Sequence, residues 1–134
     1  MATTTPAEAP IAPGATIGIL GGGQLGRMIA LAAARLGYRV HVYCQAAGEP
    51  AAQVAAERTL GAFDDKDALA RFGRSVEVVT FEFENIPAGP LAALAGGAPL
   101  RPSAHILGLT QDRLAEKAFL NSIDVKTAQW APVT

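Results

Sequence analysis

Apolar positions follow two rhythms along this chain. Residues Thr16–Leu20 (TIGIL) form a short apolar run that ends in glycines, as a parallel strand covered on both faces does. From Gln24 the period lengthens. Leu25, Met28, Ile29, Ala32 and Leu36 fall at i, i+3, i+4, i+7 and i+11, which predicts a helix carrying them on one face. Gly37 suits the C′ position, where φ is positive. A second strand is predicted over 38–43, a short helix opened by proline over 50–56, and a brief third strand over 58–60. Asp64 or Asp65 can cap a helix running to about Gly73. A fourth strand is predicted over 76–81, an alanine-rich helix over 90–95 and an edge strand over 99–101. Ser103 or Thr110 can cap the next helix, whose one face carries Leu114, Ala118 and Phe119. Asp124 stands where that helix would end, and residues 125–133 read as extended.

This alternation predicts an α/β fold: an open, mostly parallel sheet with helices on both faces, right-handed crossovers, and strand order 3-2-1-4 plus an edge strand. Residues 1–15, with three prolines and three consecutive threonines, read as a disordered leader. Residues 16–103 form the sheet domain. Over 104–134, an apolar helix face and Trp130 call for a covering layer. They either pack back on the sheet or begin a second domain that is cut short.

Composition narrows the function. Half the residues are hydrophobic, enough for a core, so wholesale disorder is excluded. Eleven basic and twelve acidic residues give a net charge of −1, which disfavours nucleic acid as a partner. No apolar run approaches the ~20 residues that span a bilayer. The N-terminus lacks a charged start and an apolar stretch, so it does not resemble a signal peptide. Cys44 is the single cysteine and reads as a small core residue in a reducing compartment. A cytoplasmic protein is expected.

Three segments can carry chemistry. Gly21, Gly23 and Gly26 make G-x-G-x-x-G between a predicted strand and a predicted helix, where free N–H groups and the helix dipole favour an anion, most often phosphate. The alternative is a tight turn without a ligand. A dinucleotide site also calls for an acid at the end of strand two. That strand ends Tyr43-Cys44-Gln45, and Glu49 comes too late. This counts against NAD and leaves a monophosphate open. Second, Glu82 and Glu84 stand two apart at the C-terminal end of strand four, where open α/β sheets bind ligands, and strand alternation would put both on one face. They could equally be solvated loop acids. Third, Gln111-Asp112-Arg113-Leu114-Ala115-Glu116-Lys117 reads, alone, as a polar helix face. His41 and His105 have no second ligand at metal spacing, so no metal site is proposed.

Taken together, these segments resemble one family, the 5-(carboxyamino)imidazole ribonucleotide synthases, which are ATP-grasp enzymes of purine synthesis. The matching stretches are Ile19 to Met28 (ILGGGQLGRM), Pro50 to Ala55, Thr80 to Pro87 (TFEFENIP), Arg101-Pro102-Ser103, and Gln111 to Lys117. The resemblance implies a Rossmann-like pre-ATP-grasp domain followed by the opening of an ATP-grasp domain. It implies an ATP-dependent carbon–nitrogen ligation in which bicarbonate becomes carboxyphosphate and its carboxyl passes to the amine of aminoimidazole ribonucleotide. It implies substrate contacts at Gly23, Gln24, Leu25 and Glu82, support from Glu84 and Asn85, and ATP contact at Arg113. The catalytic residues and the Mg²⁺ ligands would belong to the ATP-grasp domain, so the 134-residue chain is expected to be inactive alone. The family also implies a homodimer. Asp124, Lys126 and Gln129 depart from the family, which usually has glycine and two prolines there. A related ATP-grasp ligase of purine synthesis is a second reading, although glycinamide ribonucleotide formyltransferases carry glutamate in place of Gln24. A mononucleotide-binding Rossmann-type domain without chemistry is a third.

Overall fold

Parallel pairing organises the molecule. The computed structural model describes residues 10–133. In it β1 (Thr16–Leu20), β2 (Arg39–Cys44), β3 (Glu57–Leu60) and β4 (Val78–Phe81) form one sheet in the order β3-β2-β1-β4. All three neighbouring pairs are parallel, so the predicted topology and strand order hold. The expected edge strand shrinks to one bridge between Val79 and Leu100. There the Val79 N–H donates to the Pro99 carbonyl at 2.9 Å and the Arg101 N–H to the Val79 carbonyl at 2.8 Å. Pro99 and Pro102 have no N–H to extend that ladder.

Helix α1 (Gln24–Arg35) covers one face of the sheet, but turned over relative to the apolar spacing. It buries Gly26, Ala30 and Ala33, while Leu25, Met28, Leu31 and Leu36 are exposed. The helix lies too close to the strands for large side chains: a Cβ on Gly26 would stand 2.9 Å from the Gly21 carbonyl oxygen. This face of the core joins Ile19, Val40, Val42 and Cys44 to Ala30, Ala33, Ala51 and Ala52. As predicted, Gly37 follows with φ 83. Of the leader expected at 1–15, residues 1–9 lie outside the described residues. Gly14 N–H donates to the Gly37 carbonyl at 2.7 Å, and the Tyr38 hydroxyl to the Ile11 carbonyl at 3.0 Å, which ties residues 11–14 to the end of α1.

Helix α2 (Lys66–Gly73) covers the other face, and the Asp65 carboxylate caps it by accepting the Ala68 N–H. Leu69 and Phe72 pack there on Leu20, Tyr43 and Val79, and burial of each such side chain contributes ~1.5–3 kcal/mol. Gly18 sits mid-strand because a Cβ there would meet the Phe72 ring at 2.8 Å. The helices expected over 50–56 and 90–95 are 3-10 turns at Ala51–Gln53 and Pro90–Leu94. The last helix is two. Helix α3 (Ala104–Gln111) is capped by Ser103, and α4 (Arg113–Ser122) by Asp112, whose backbone is extended and breaks the run. Helix α4 buries no residue. It ends in a Schellman turn: Val125 N–H reaches the Leu120 carbonyl and Asp124 N–H the Asn121 carbonyl. Asp124 holds φ 61 there, the conformation that favours the glycine usual in the family. No strand forms over the described residues after it; Trp130 donates to the Asn121 side chain at 3.2 Å.

His41, buried in β2, is a satisfied core residue, with Nε2 2.8 Å from the Thr59 hydroxyl and Nδ1 3.1 Å from that of Ser75. Burial pushes its pKa below the usual value, and Glu57 pulls it only partly back. The unfolded chain therefore takes up a proton as pH falls through ~6.5, where the native state still resists it. His41 contributes stability above that pH and loses it below. The expected outcome is a thermal midpoint that declines between pH 6.5 and 5, with a shallower decline in His41→Asn, measured by circular dichroism.

Candidate functional site

Register builds the site. Leu20 pairs with Tyr43 on one side and Phe81 on the other, so the next residues, Gly21 and Glu82, emerge level at the C-terminal edge. Two hydrogen bonds extend the pairing past the strands: Gly21 N–H to the Tyr43 carbonyl at 2.9 Å and Glu82 N–H to the Leu20 carbonyl at 3.4 Å. Gly21, at φ 115, then turns the chain into α1. The strand-order reversal falls between β1 and β4, where open α/β sheets leave a crevice.

A protein carboxylate already stands at the start of α1. Glu82 Oε1 accepts the Gly23 N–H at 3.3 Å. The N-cap residue, Gly23, has no side chain of its own to cap the helix. A Cβ on Gly21 would meet Glu82 Cγ at 2.7 Å, and one on Gly23 would meet Oε1 at 2.8 Å. The Gly23 N–H, one of the groups expected to face an anion, is thus met by the Glu82 carboxylate, which also suits the helix dipole. Glu49, judged too late by spacing, folds back beside the turn. Its Oε1 accepts the N–H groups of Gln45 and Ala46 at 2.8 and 2.7 Å, and a Cβ on Gly22 would collide with its Oε2. Burial, then Glu49, pushes the Cys44 thiol pKa up, which suits an inert core thiol. The 50–53 segment belongs to the same construction: Ala51 N–H donates to the Gly22 carbonyl at 2.8 Å, and Arg27 joins Gln53 Oε1 at 2.8 Å.

One open cleft lies against Glu82. Phe81, Glu82, Phe83 and Glu84 form one wall; Thr110, Arg113 and Glu116 form the other. Arg113 is paired with Glu116. The cleft therefore holds three carboxylates and one guanidinium. It offers acceptors to hydroxyl and amine donors. Of the residues singled out from sequence, Glu82, Glu84 and Arg113 meet here. Gln24 and Leu25 are exposed at the first turn of α1. Asn85 is not in this cleft. It lines a second one with Gln45, Phe63, Asp64 and Pro87, and Phe83 borders both. Strand alternation does not apply to Glu82 and Glu84, because β4 stops at Phe81. Among the described residues no group of three or more His, Cys, Asp or Glu is placed to hold a metal ion. No helix among them is long and apolar enough to cross a membrane.

Sequence spacing missed Glu49, because a loop return is invisible to strand counting. Glu116, within the matching stretch Gln111 to Lys117, and Thr110, expected only as a possible helix cap, were not assigned to the site; Ser103 caps α3 instead.

Residues 14–111 match the family described as the ribonucleotide synthetase preATP-grasp domain. The chain is 49% identical over 118 residues to the N5-carboxyaminoimidazole ribonucleotide synthase of Brucella melitensis, covering 88% of this chain and 33% of that protein. Among solved structures it is similar to the N5-carboxyaminoimidazole synthetase of Staphylococcus aureus complexed with ADP (41% identity, TM-score 0.78, 85% of this chain and 31% of that one). It is also similar to the N5-carboxyaminoimidazole synthase of Aspergillus clavatus in complex with ADP and 5-aminoimidazole ribonucleotide (31% identity, TM-score 0.75, 83% and 30%). The chain spans about a third of the length of these relatives.

The packing at Gly23 makes a separable prediction. Its φ is −71 and its only close neighbour is the flexible end of Glu82. Gly23→Ala should cost little stability, under about 1 kcal/mol, while breaking the Glu82 contact. Gly18→Ala, aimed at the Phe72 ring, should cost ~1–3 kcal/mol. Urea denaturation of both variants checks the contrast.

Proposed function

We propose, since this chain belongs to the ribonucleotide synthetase preATP-grasp family, that it is the ribonucleotide-binding part of an ATP-dependent ligase. The ligase transfers a carboxyl group from bicarbonate to the amine of 5-aminoimidazole ribonucleotide, a step of purine synthesis. The observation that carries this reading is the Glu82 carboxylate held on the glycine turn at the β1/β4 reversal.

The chemistry of that carboxylate suits a sugar. A carboxylate with one oxygen fixed by a backbone N–H keeps its other lone pairs for vicinal hydroxyl donors. Gly23, Gln24 and Leu25, at the start of α1, present the backbone and an amide to the same ligand. Glu84 extends the acceptor wall, and Asn85 backs it from beyond Phe83. The ribonucleotide enters sugar first, with its phosphate outward, because the cleft's carboxylates outnumber its one guanidinium. Arg113, on the far wall, faces the ATP side. ATP brings the phosphoryl group that activates bicarbonate, and Mg²⁺ would neutralise its phosphates; no step on this chain is assigned to the metal. NAD is not a cofactor in this reading, since Glu49 is engaged by two backbone N–H groups and packed on Gly22, not turned toward a ribose.

Residues 16–103 then form the pre-ATP-grasp domain, and 104–134 open the ATP-grasp domain. The setting is cytoplasmic, the partners are small molecules and neither nucleic acid nor membrane, and the assembly is a homodimer. The outward Met28, Leu31 and Leu36 of α1 are available for that contact.

Calorimetric titration tests the reading. Glu82→Gln should weaken binding of 5-aminoimidazole ribonucleotide by roughly ten- to a hundredfold, the loss expected for a charge-assisted hydrogen bond. The same variant should leave any ADP binding unchanged, and NAD should give no heat with either protein. Equal losses for ribonucleotide and ADP would contradict it. The 134-residue chain, given ATP, bicarbonate and the ribonucleotide, should release no ADP at enzymatic rates, ~1–10³ per second.

A further inference from the structure

Helix α4 carries one wall of the Glu82 cleft, yet it buries nothing against the sheet. Something else must set where Arg113 and Glu116 stand. Helix α3 is seated through Leu107, which is fully buried in the core of the α2 face. That fixes the helix axis but not the junction at its C-terminal end, where Asp112 is extended and the chain changes direction.

The junction is held by one side chain. Gln111 Nε2 donates to the Glu84 carbonyl at 2.5 Å and to the Ile86 carbonyl at 2.6 Å. An amide nitrogen has two hydrogens, so both bonds are made at once. They reach across 27 and 25 positions of sequence to the loop that follows β4. That loop forms the Glu82–Glu84 wall. The next residue, Asp112, caps α4 by accepting the N–H groups of Leu114 and Ala115, both at 2.8 Å. A single residue thus fastens the loop bearing one wall to the helix bearing the other. The Ile86 side chain is itself fully buried, so the loop end of the brace is anchored in the core.

The structure assigns Gln111 as a positioning residue: it acts through the backbone of residues 84–86 and through α4, touches no substrate, and sets the separation between Glu82 with Glu84 and Arg113 with Glu116. This deepens the proposed function and rests on it for the identity of the ligand. The brace itself does not depend on that identity. Any donor-poor replacement frees the two walls to move relative to one another while the sheet stays folded.

The test uses the ¹⁵N-labelled 134-residue chain, Gln111→Glu and Gln111→Leu. Glutamate is nearly isosteric and cannot donate when ionised; leucine keeps bulk without polarity. Without ligand, both variants should keep the β1–β4 amide pattern, while the amides of Asn85 and Ile86 and those of Arg113–Glu116 shift in concert. On titration with 5-aminoimidazole ribonucleotide, both should bind about tenfold more weakly than wild type, because binding must then order walls that the brace no longer holds. Shifts confined to residues next to 111 would overturn the assignment, as would unchanged affinity despite concerted shifts. Should wild type itself not bind the ribonucleotide, the ligand reading fails, and the ligand-free shifts alone decide the brace. If leucine prevents folding, the glutamate variant carries the comparison.

Discussion

The parallel register between β1 and β4 is the constraint from which the site follows. Pairing Leu20 with Phe81 puts Gly21 and Glu82 side by side as the two chains leave the sheet. A slip of one residue would bring Phe81 or Phe83 level with Gly21 in place of Glu82. Apolar side chains on both faces prevent that slip. Ile19 and Leu20 are fully buried on opposite faces, one among the alanines of α1 and the other against α2. The core therefore locks the register, and the register delivers a carboxylate to the start of a helix.

That arrangement gives the glycine string its meaning here. Such glycines are needed wherever something must approach the backbone closely. In this chain two carboxylates make the approach: Glu82 against Gly21 and Gly23, Glu49 against Gly22. Negative charge at the helix start comes from the protein itself. A phosphate would have to displace Glu82 and then face Glu84 and Glu116. A ribose hydroxyl would gain an acceptor already in place. The same fingerprint that often cradles phosphate here receives a carboxylate of the chain itself, because the segment after β4 begins with Glu82.

Much of this was legible in sequence, and the failures have physical causes. Strand order, the glycine turn, the Asp65 cap and the end of the last helix at Asp124 followed from local chemistry. The buried face of α1 did not. The chain is rich in alanine, and small residues let the helix approach the sheet, leaving its leucines outside. The break at Asp112 was hidden by continuous helical spacing on either side. Glu82 was readable from its place after β4, but its contact with Gly23 came from register. Glu49 and Gln111 act on backbone groups, which carry no residue identity, so no spacing rule could find their partners. Asn85 parted from Glu84 because the chain leaves the strand at Phe81 and alternation ends with it.

The most direct test of the account is a map of where the ribonucleotide touches the chain. Amide shifts of the ¹⁵N-labelled protein, followed during titration with 5-aminoimidazole ribonucleotide, supply it. The account predicts shifts concentrated at Gly21–Leu25 and at Phe81–Glu84, the two segments that register brings together. Saturable shifts centred instead on Gln45, Phe63 and Asp64, with the glycine turn silent, would contradict it.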